Sequence, residues 1–262
     1  MFPDVLGFIV LVLSGFFGGV FVGIASGTAA IFVIPCLTLL MGFSMHHAVG
    51  TNPLVDSVIG GVAGLVFLLN KNVDLRSTHF LVFMGVIGAF FGSRFTSSAP
   101  ELGLTVFMAS FLVVMGVDFV VKGIKKNVDY IESKVDFSFI RKHRLFFMMF
   151  FGLTTGLVSG FSGMGGAGML VFIFVLLFRY DLHTAIGTSL LLSFFIGAAG
   201  TLGHVLSNET VFDVALVAAA AAAFGAVFGA VFANRVDEDK LGRLIGFVVL
   251  LSGFLLFVRA FV

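Results

Sequence analysis

The stretch that decides the fold is HHAVGTN at residues 46–52, because it returns as HTAIGTS at residues 183–189. The offset between the two copies is 137 residues, and it pairs the chain with itself without a gap from Gly15 to Phe95. Of the 81 positions paired in this way, 20 are identical, and glycine is the commonest identical residue. The sequence therefore predicts two related halves.

The composition around this repeat is typical of a membrane protein. Only 11% of the 262 residues are charged and the mean hydropathy is +1.17, whereas soluble proteins are about a quarter charged. The chain lacks the polar residues to coat a soluble surface, so the bilayer has to act as its solvent. The single cysteine excludes an intrachain disulfide.

Apolar runs between polar or Gly/Pro breaks give ten candidate segments, five in each half. They cover residues 5–24, 28–43, 48–70, 78–97, 101–124, 145–161, 166–180, 183–207, 211–234 and 238–261. The second and seventh are short for a full crossing and follow glycine-broken stretches, so each either spans or belongs to a re-entrant hairpin. The predicted domains are a first membrane repeat (1–124), a basic linker (125–144) and a second membrane repeat (145–262).

The basic residues test the number of segments, because cytoplasmic loops carry the excess of lysine and arginine. When successive connections alternate sides, one side receives 13 of the 15 basic residues and the other only Arg94 and Arg259. We therefore expect an inner (cell) membrane protein with a cytoplasmic linker and both termini outside. The linker's charges fix this topology or, alternatively, bind anionic lipid. No stretch is basic enough to indicate a nucleic-acid partner.

An odd number of segments per half implies that the two copies enter the membrane in opposite orientations. The predicted fold is an all-α membrane protein of two inverted repeats of about five segments each, with short or re-entrant segments after glycine-rich breaks. Inverted repeats are typical of secondary transporters, whose solute sites lie near the bilayer midplane where the repeats meet. Many of the regularly spaced glycines are explained by close helix packing alone. The sequence leaves a homo-oligomer open.

The two glycine breaks are the first candidate site. SGTAA at residues 26–30 and SGMGGAG at residues 162–168 each follow one apolar segment and precede a short one. Glycine permits a tight reversal, and the amide N–H groups that start the next helix suit an anionic solute. A purely structural bend is the alternative. The predicted solute ligands from these breaks are Ser26, Gly27, Thr28, Gly163, Gly165 and Gly166.

A second pair of polar positions lies inside apolar segments: Thr51 and Asn52 in the first half, Thr188 and Ser189 in the second. Their hydroxyl and amide groups either hydrogen-bond a solute without carrying charge or bond back to the helix backbone. We predict all four as solute ligands.

Three ionisable residues are assigned to the pathway or to coupling. Asp56 lies near mid-depth of the third segment, where a carboxylate is costly unless it is paired, hydrated or protonated. It either couples transport to protons or makes a neutral, hydrogen-bonded contact between helices. Arg94 lines an anion entry path or extends its charge to the membrane surface. His204 lies on the pathway or is a packed, interfacial histidine.

Signatures of soluble enzymes are absent from the sequence. It contains no Walker loop, no HExxH and no nucleophile elbow. We therefore predict no enzyme, no cofactor and no metal site. Without an ATP site, any pumping has to draw on a gradient, such as one of protons or sodium.

The glycine breaks and the polar pairs described above resemble those of the sulfite exporter TauE/SafE family of membrane anion permeases. The likeness covers both halves and is carried by Gly160–Gly166, Ala185–Leu190, Gly200–His204, Gly225–Gly229, Pro35–Leu37 and Ala48–Asn52. The resemblance implies transport of small sulfur-containing or organic anions such as sulfite or sulfonates. The predicted function is a secondary transporter that works by alternating access, with a passive anion channel or a non-transporting membrane subunit as alternatives.

Overall fold

The computed structural model of the chain describes residues 5–75, 78–121, 137–233, 250–251, 253–254 and 257–258. All regular secondary structure in these residues is helical, and six of the helices are long and apolar enough to cross a membrane. The prediction of an all-α, multi-pass membrane protein is therefore confirmed.

The first half supplies five helices, α1 (Val5–Ala25), α2 (Ala30–Pro35), α3 (Met45–Leu69), α4 (His79–Thr96) and α5 (Glu101–Val121). A π-helical turn at Cys36–Leu40 continues α2 directly. Together they form an apolar helix from Ala30 to Leu40, which is about 16 Å long. This is shorter than a hydrocarbon core of about 30 Å, as expected for the second predicted segment.

The second half supplies α6 (Ser138–Lys142), α7 (Arg144–Ser162), α8 (Ala167–Phe172), α9 (Leu182–Leu206) and α10 (Phe212–Ala233). A π-helical turn at Ile173–Leu177 continues α8. Helix α6 occupies part of the predicted linker, whose residues 125–136 lie outside the described residues. The tenth predicted segment, 238–261, lies outside them too, apart from the short pieces after residue 249.

The helix bounds of the two halves correspond at the offset of 137 residues. The short helix 30–40 corresponds to 167–177, and α3 (45–69) corresponds to α9 (182–206). Three pairs of positive-φ residues also correspond, namely Ser26 with Gly163, Gly42 with Arg179, and Lys71 with Asn208. The two halves therefore share a succession of elements, while their opposite orientation in the membrane stays a prediction.

Helix α1 of the first half packs along α10 of the second, and α7 of the second half packs along α4 of the first. Glycines make these contacts close. A Cβ on Gly19 would meet the carbonyl of Ala222, and one on Gly156 would meet the carbonyl of Gly85. The regularly spaced glycines therefore act in close helix packing.

Helices α3 and α9 contact each other and lie between these two packed pairs, since α3 also contacts α10 and α9 also contacts α4. The Ser57 hydroxyl donates to the Phe194 carbonyl oxygen at 2.9 Å. Positions 57 and 194 are equivalent in the two halves, so this bond lies on the boundary between them. The polar residues of α3 and α9 are consequently brought to the centre of the molecule.

Candidate functional site

The two glycine breaks lie beside each other at this centre. The first loop (residues 26–29) joins α1 to α2, and the second loop (residues 163–166) joins α7 to α8. A Cβ on Gly168, just after the second loop, would lie 3.3 Å from the carbonyl oxygen of Ser26. Residues far apart in the sequence are thus close enough in space to act on one group.

Both loops donate hydrogen bonds to the carboxylate of Asp56 in α3. Its Oδ2 accepts from the Thr28 hydroxyl at 2.5 Å and from the Gly165 N–H at 2.8 Å. Its Oδ1 accepts from the Ala29 N–H at 2.7 Å. The side-chain amide of Asn52, one turn earlier on α3, donates to Oδ2 at 2.8 Å. We name these four donors the cradle.

The cradle is closed to solvent and contains no cation. The Asp56 side chain is only 3% exposed, and Asn52 is fully buried. Within the described part of the chain, no lysine, arginine or histidine forms an ion pair with Asp56. Because a buried carboxylate is costly unless it is compensated, the four neutral donors supply the compensation through charge-assisted hydrogen bonds.

Glycine is required in the second loop for two separate reasons. Gly163 and Gly166 have φ values of 70° and 74°, in the left-handed region that residues with a Cβ rarely adopt. A Cβ on Gly163 would also collide with the carbonyl oxygen of Val49. A Cβ on Gly165 would lie 2.7 Å from the Cβ of Asp56, so its absence allows the Gly165 N–H to reach the carboxylate.

Asn52 ties the second loop to α3. Its amide nitrogen donates to the Gly163 carbonyl oxygen at 2.7 Å as well as to Asp56, which fixes the orientation of the amide. The other amide atom, Oδ1, is buried and has no hydrogen-bond partner among the described residues. A buried acceptor of this kind beside the cradle suits a solute that brings a donor of its own.

Three predicted solute ligands, Thr28, Asn52 and Gly165, belong to the cradle itself. Five others lie in the loops or touch them: Ser26, Gly27, Gly163, Gly166 and Ser189. The Ser189 hydroxyl lies 2.7 Å from that of Ser26 and donates to the Ile186 carbonyl. Ser26 is therefore the donor between the two serines, and it joins the first loop to α9.

The structure does not bring Thr51 and Thr188 to the cradle. The Thr51 hydroxyl accepts from the N–H of Val211 at 3.1 Å, and the Thr188 hydroxyl accepts from the N–H of Asp74 at 2.9 Å. The first bond attaches α3 to the chain just before α10, and the second attaches α9 to the chain just before α4. The two threonines therefore hold the halves together.

Arg94 and His204 also lie apart from the cradle. Arg94 is exposed in the last turn of α4, with Nη1 3.5 Å from the Ser207 hydroxyl. His204 is fully buried in α9, where Nε2 donates to the Gly160 carbonyl at 2.8 Å and Nδ1 lies 2.6 Å from a carboxylate oxygen of Glu209. Glu209 was not predicted from the sequence. The one sign of it there was an acidic residue in the loop that follows the helix of His204.

A family model described as "Sulfite exporter TauE/SafE" matches residues 11–256. The chain is 34% identical over 107 residues to "Probable membrane transporter protein YdhB" of Bacillus subtilis, a match that covers 41% of this chain and 44% of the relative. It is 22% identical over 237 residues to "Probable membrane transporter protein YunE" of the same organism, covering 82% and 85%. A "Probable membrane transporter protein" of Xylella fastidiosa is 24% identical over 250 residues, 92% of each chain. No solved structure matches the chain.

Proposed function

We propose that this chain, which belongs to the sulfite exporter TauE/SafE family, is a secondary transporter of small sulfur-containing or organic anions. The family is one of membrane transporters, and relatives matched over most of their length are named probable membrane transporter proteins. Our proposal adds the solute class, with sulfite and sulfonates as its representatives, and a mechanism of alternating access.

The observation that carries the proposal is the convergence of both loops on one buried carboxyl group, that of Asp56. Each half of the chain contributes donors to the cradle, Thr28 and Ala29 from the first and Gly165 from the second. All the donors are neutral, which suits an anion that has to be released again, since a fixed cation would hold it more tightly. Because the donors belong to different halves, relative movement of the halves would open the cradle to one side of the membrane.

We infer further that transport is coupled to a gradient of protons or sodium. Asp56 is the candidate proton carrier, because it is a buried carboxylate with only neutral partners among the described residues. A proton on Asp56 would remove the charge that competes with an incoming anion.

Reconstitution tests the transport function. Purified protein in liposomes should take up radiolabelled sulfite or sulfoacetate, with empty liposomes as the background. In a carrier, unlabelled solute on the opposite side should accelerate the uptake of label, whereas a passive channel shows no such acceleration. If neither anion moves, with or without a proton or sodium gradient, the proposed function is wrong.

The proposed topology places this protein in the inner (cell) membrane with the linker 125–144 in the cytoplasm and both termini outside. Single cysteines introduced at Asn127 and Asn208, in a background with Cys36→Ala, should react with an impermeant thiol reagent from opposite sides. Labelling of both positions from the outside would contradict the arrangement.

A further inference from the structure

We propose that the Asp56 carboxylate is an internal substitute for the transported anion, which binds to the same donors only after Asp56 has left them. The inference rests on the proposed function and deepens it, because it names the group that competes with the solute. It also identifies the conformation described here as one in which the chain fills its own site.

The geometry of the cradle is that of a site for a free carboxylate or a small oxyanion. A carboxylate accepts through about four lone-pair positions, and the cradle offers one hydroxyl, one amide and two backbone N–H groups. The donors come from three separate pieces of chain, the first loop, α3 and the second loop. Only the covalent link to α3 distinguishes the present occupant from a solute.

A second anion cannot share the cradle with Asp56. The Asp56 Cβ lies 2.7 Å from the position that a Cβ on Gly165 would take, so the side chain packs directly against the second loop. Two carboxylate-sized anions side by side would also repel each other, and no cation among the described residues pairs with Asp56 to offset the repulsion. Occupation by Asp56 and occupation by the solute are therefore mutually exclusive.

The other half of the chain shows that this fold does not need an acid at the equivalent position. The residue equivalent to Asp56 is Ser193 in α9, whose hydroxyl donates to the Leu190 carbonyl within its own helix. Ser193 is buried as well, at 2% exposed. A small polar side chain is thus enough for helix packing at this position. Packing alone therefore does not account for the carboxylate of Asp56.

Among the described residues, no other ionisable side chain hydrogen-bonds to Asp56. The groups that hydrogen-bond to its carboxyl are Thr28 and Ala29 of the first loop, Asn52 of α3 and Gly165 of the second loop. None of these groups titrates. Displacement is therefore driven by the solute itself or by a proton taken up by Asp56.

Two substitutions separate occupation of the cradle from charge. Asp56→Ala removes the occupant and leaves the donors and the space of a carboxylate, whereas Asp56→Asn removes the charge but keeps a group of the same size in place. We would titrate the purified full chain with sodium formate, the smallest carboxylate, against sodium chloride at equal ionic strength. Thermal unfolding is followed by reaction of the buried Cys36 thiol with a fluorescent reagent, since the sequence contains no other cysteine.

Formate should raise the unfolding temperature of the Asp56→Ala variant in a saturable manner, because it binds only the folded state. Its dissociation constant should be at least about tenfold lower for Asp56→Ala than for Asp56→Asn or the unsubstituted chain, the factor expected for one charge-assisted hydrogen bond. Equal affinities for the Ala and Asn variants would indicate a general charge effect and overturn the proposal.

Asp181→Ala is the matched control. Asp181 is an exposed acid whose carboxylate accepts from the Thr184 N–H at the start of α9, away from the cradle. Its removal should bring no formate-specific stabilisation, and a gain equal to that of Asp56→Ala would contradict the proposal. Where Asp56→Ala does not fold, Asp56→Ser takes its place, since the fold already holds serine at the equivalent position 193.

A competition experiment connects the cradle with the solute. In the Asp56→Ala variant, sulfite should raise the apparent dissociation constant for formate, because both anions need the same donors. If the formate affinity stays constant in saturating sulfite, the solute does not use the cradle and the proposal is wrong. Absence of sulfite and sulfoacetate flux in liposomes, alongside formate binding and competition by sulfite, would overturn the transport function alone.

Discussion

The first and second loops occupy equivalent positions in the two halves, yet they reach Asp56 by different chemistry. The second loop uses backbone alone, through the Gly165 N–H, while the first adds the side chain of Thr28, the residue equivalent to Gly165, to the backbone N–H of Ala29. Their backbones differ at the fourth residue, where Gly166 has a φ of 74° and Ala29 a φ of −69°. Two unlike loop sequences thus supply donors to the same carboxylate.

The first residues of the loops differ in another way. Ser26 and Gly163 both have positive φ values, 52° and 70°. At Gly163, however, the carbonyl oxygen of Val49 occupies the space that a Cβ would need. Ser26 instead uses its side chain to bind Ser189. The need for glycine therefore comes from the neighbouring backbone as much as from the φ angle, and the loops are not interchangeable.

Exchanging these first residues should produce the largest effect. Gly163→Ser, which copies the first loop, should lower the free energy of unfolding by about 2–4 kcal/mol, from the left-handed conformation and from overpacking against Val49. The measurement is thermal unfolding in detergent, followed through the buried Cys36 thiol. Unfolding at the temperature of the unsubstituted protein would mean that the second loop has room for a side chain.

Removing the hydroxyl of the first loop should have the next largest effect. Thr28→Val keeps the shape but deprives Asp56 of a donor and the Ala30 N–H of an acceptor, so it should destabilise by about 1–3 kcal/mol. Thr28→Ser retains the hydroxyl and is the matched control, with stability close to that of the unsubstituted chain. If Ser and Val behave alike in the same unfolding assay, the hydroxyl contributes nothing to the cradle.

The fourth residues offer a smaller test of the different backbones. Gly166→Ala should cost about 1–2 kcal/mol because alanine disfavours positive φ, and its Cβ would lie 3.0 Å from the Thr155 side chain. Ala29→Gly, at an ordinary helical φ, should cost only about 0.5–1 kcal/mol through chain entropy. If the two substitutions lower the free energy of unfolding equally, the φ difference between the loops does not affect stability.

Much of the fold could be predicted because its signals are local. Apolar runs and their breaks place α3 within a few residues of its observed start, and the repeat pairs it with α9. The all-α membrane fold and the family likeness are both confirmed. The predicted segments 28–43 and 166–180 were short for a full crossing, and the structure has helices of Ala30–Leu40 and Ala167–Leu177 within them.

The site could be predicted only in outline, because it depends on contacts between distant residues. The sequence indicated both loops and Asp56 separately, but the hydrogen bond from Gly165 joins positions 109 residues apart. Thr51 and Thr188 carry the same local pattern as the cradle residues and nevertheless bind backbone elsewhere. Which side of a buried helix faces a solute is decided by packing and not by the polar residue itself.

The smallest effect is expected from Ser26→Gly, the reverse exchange of the first loop residues. Glycine relieves the left-handed strain of about 1–2 kcal/mol, while loss of the hydrogen bond to Ser189 costs about 0.5–1.5 kcal/mol. The two terms oppose each other, so the free energy of unfolding should change by less than about 1 kcal/mol. A large decrease in the free energy of unfolding would instead show that the Ser26–Ser189 contact holds the first loop in place. Ser189→Ala separates these cases, because it removes the same hydrogen bond and leaves the backbone at residue 26 unchanged.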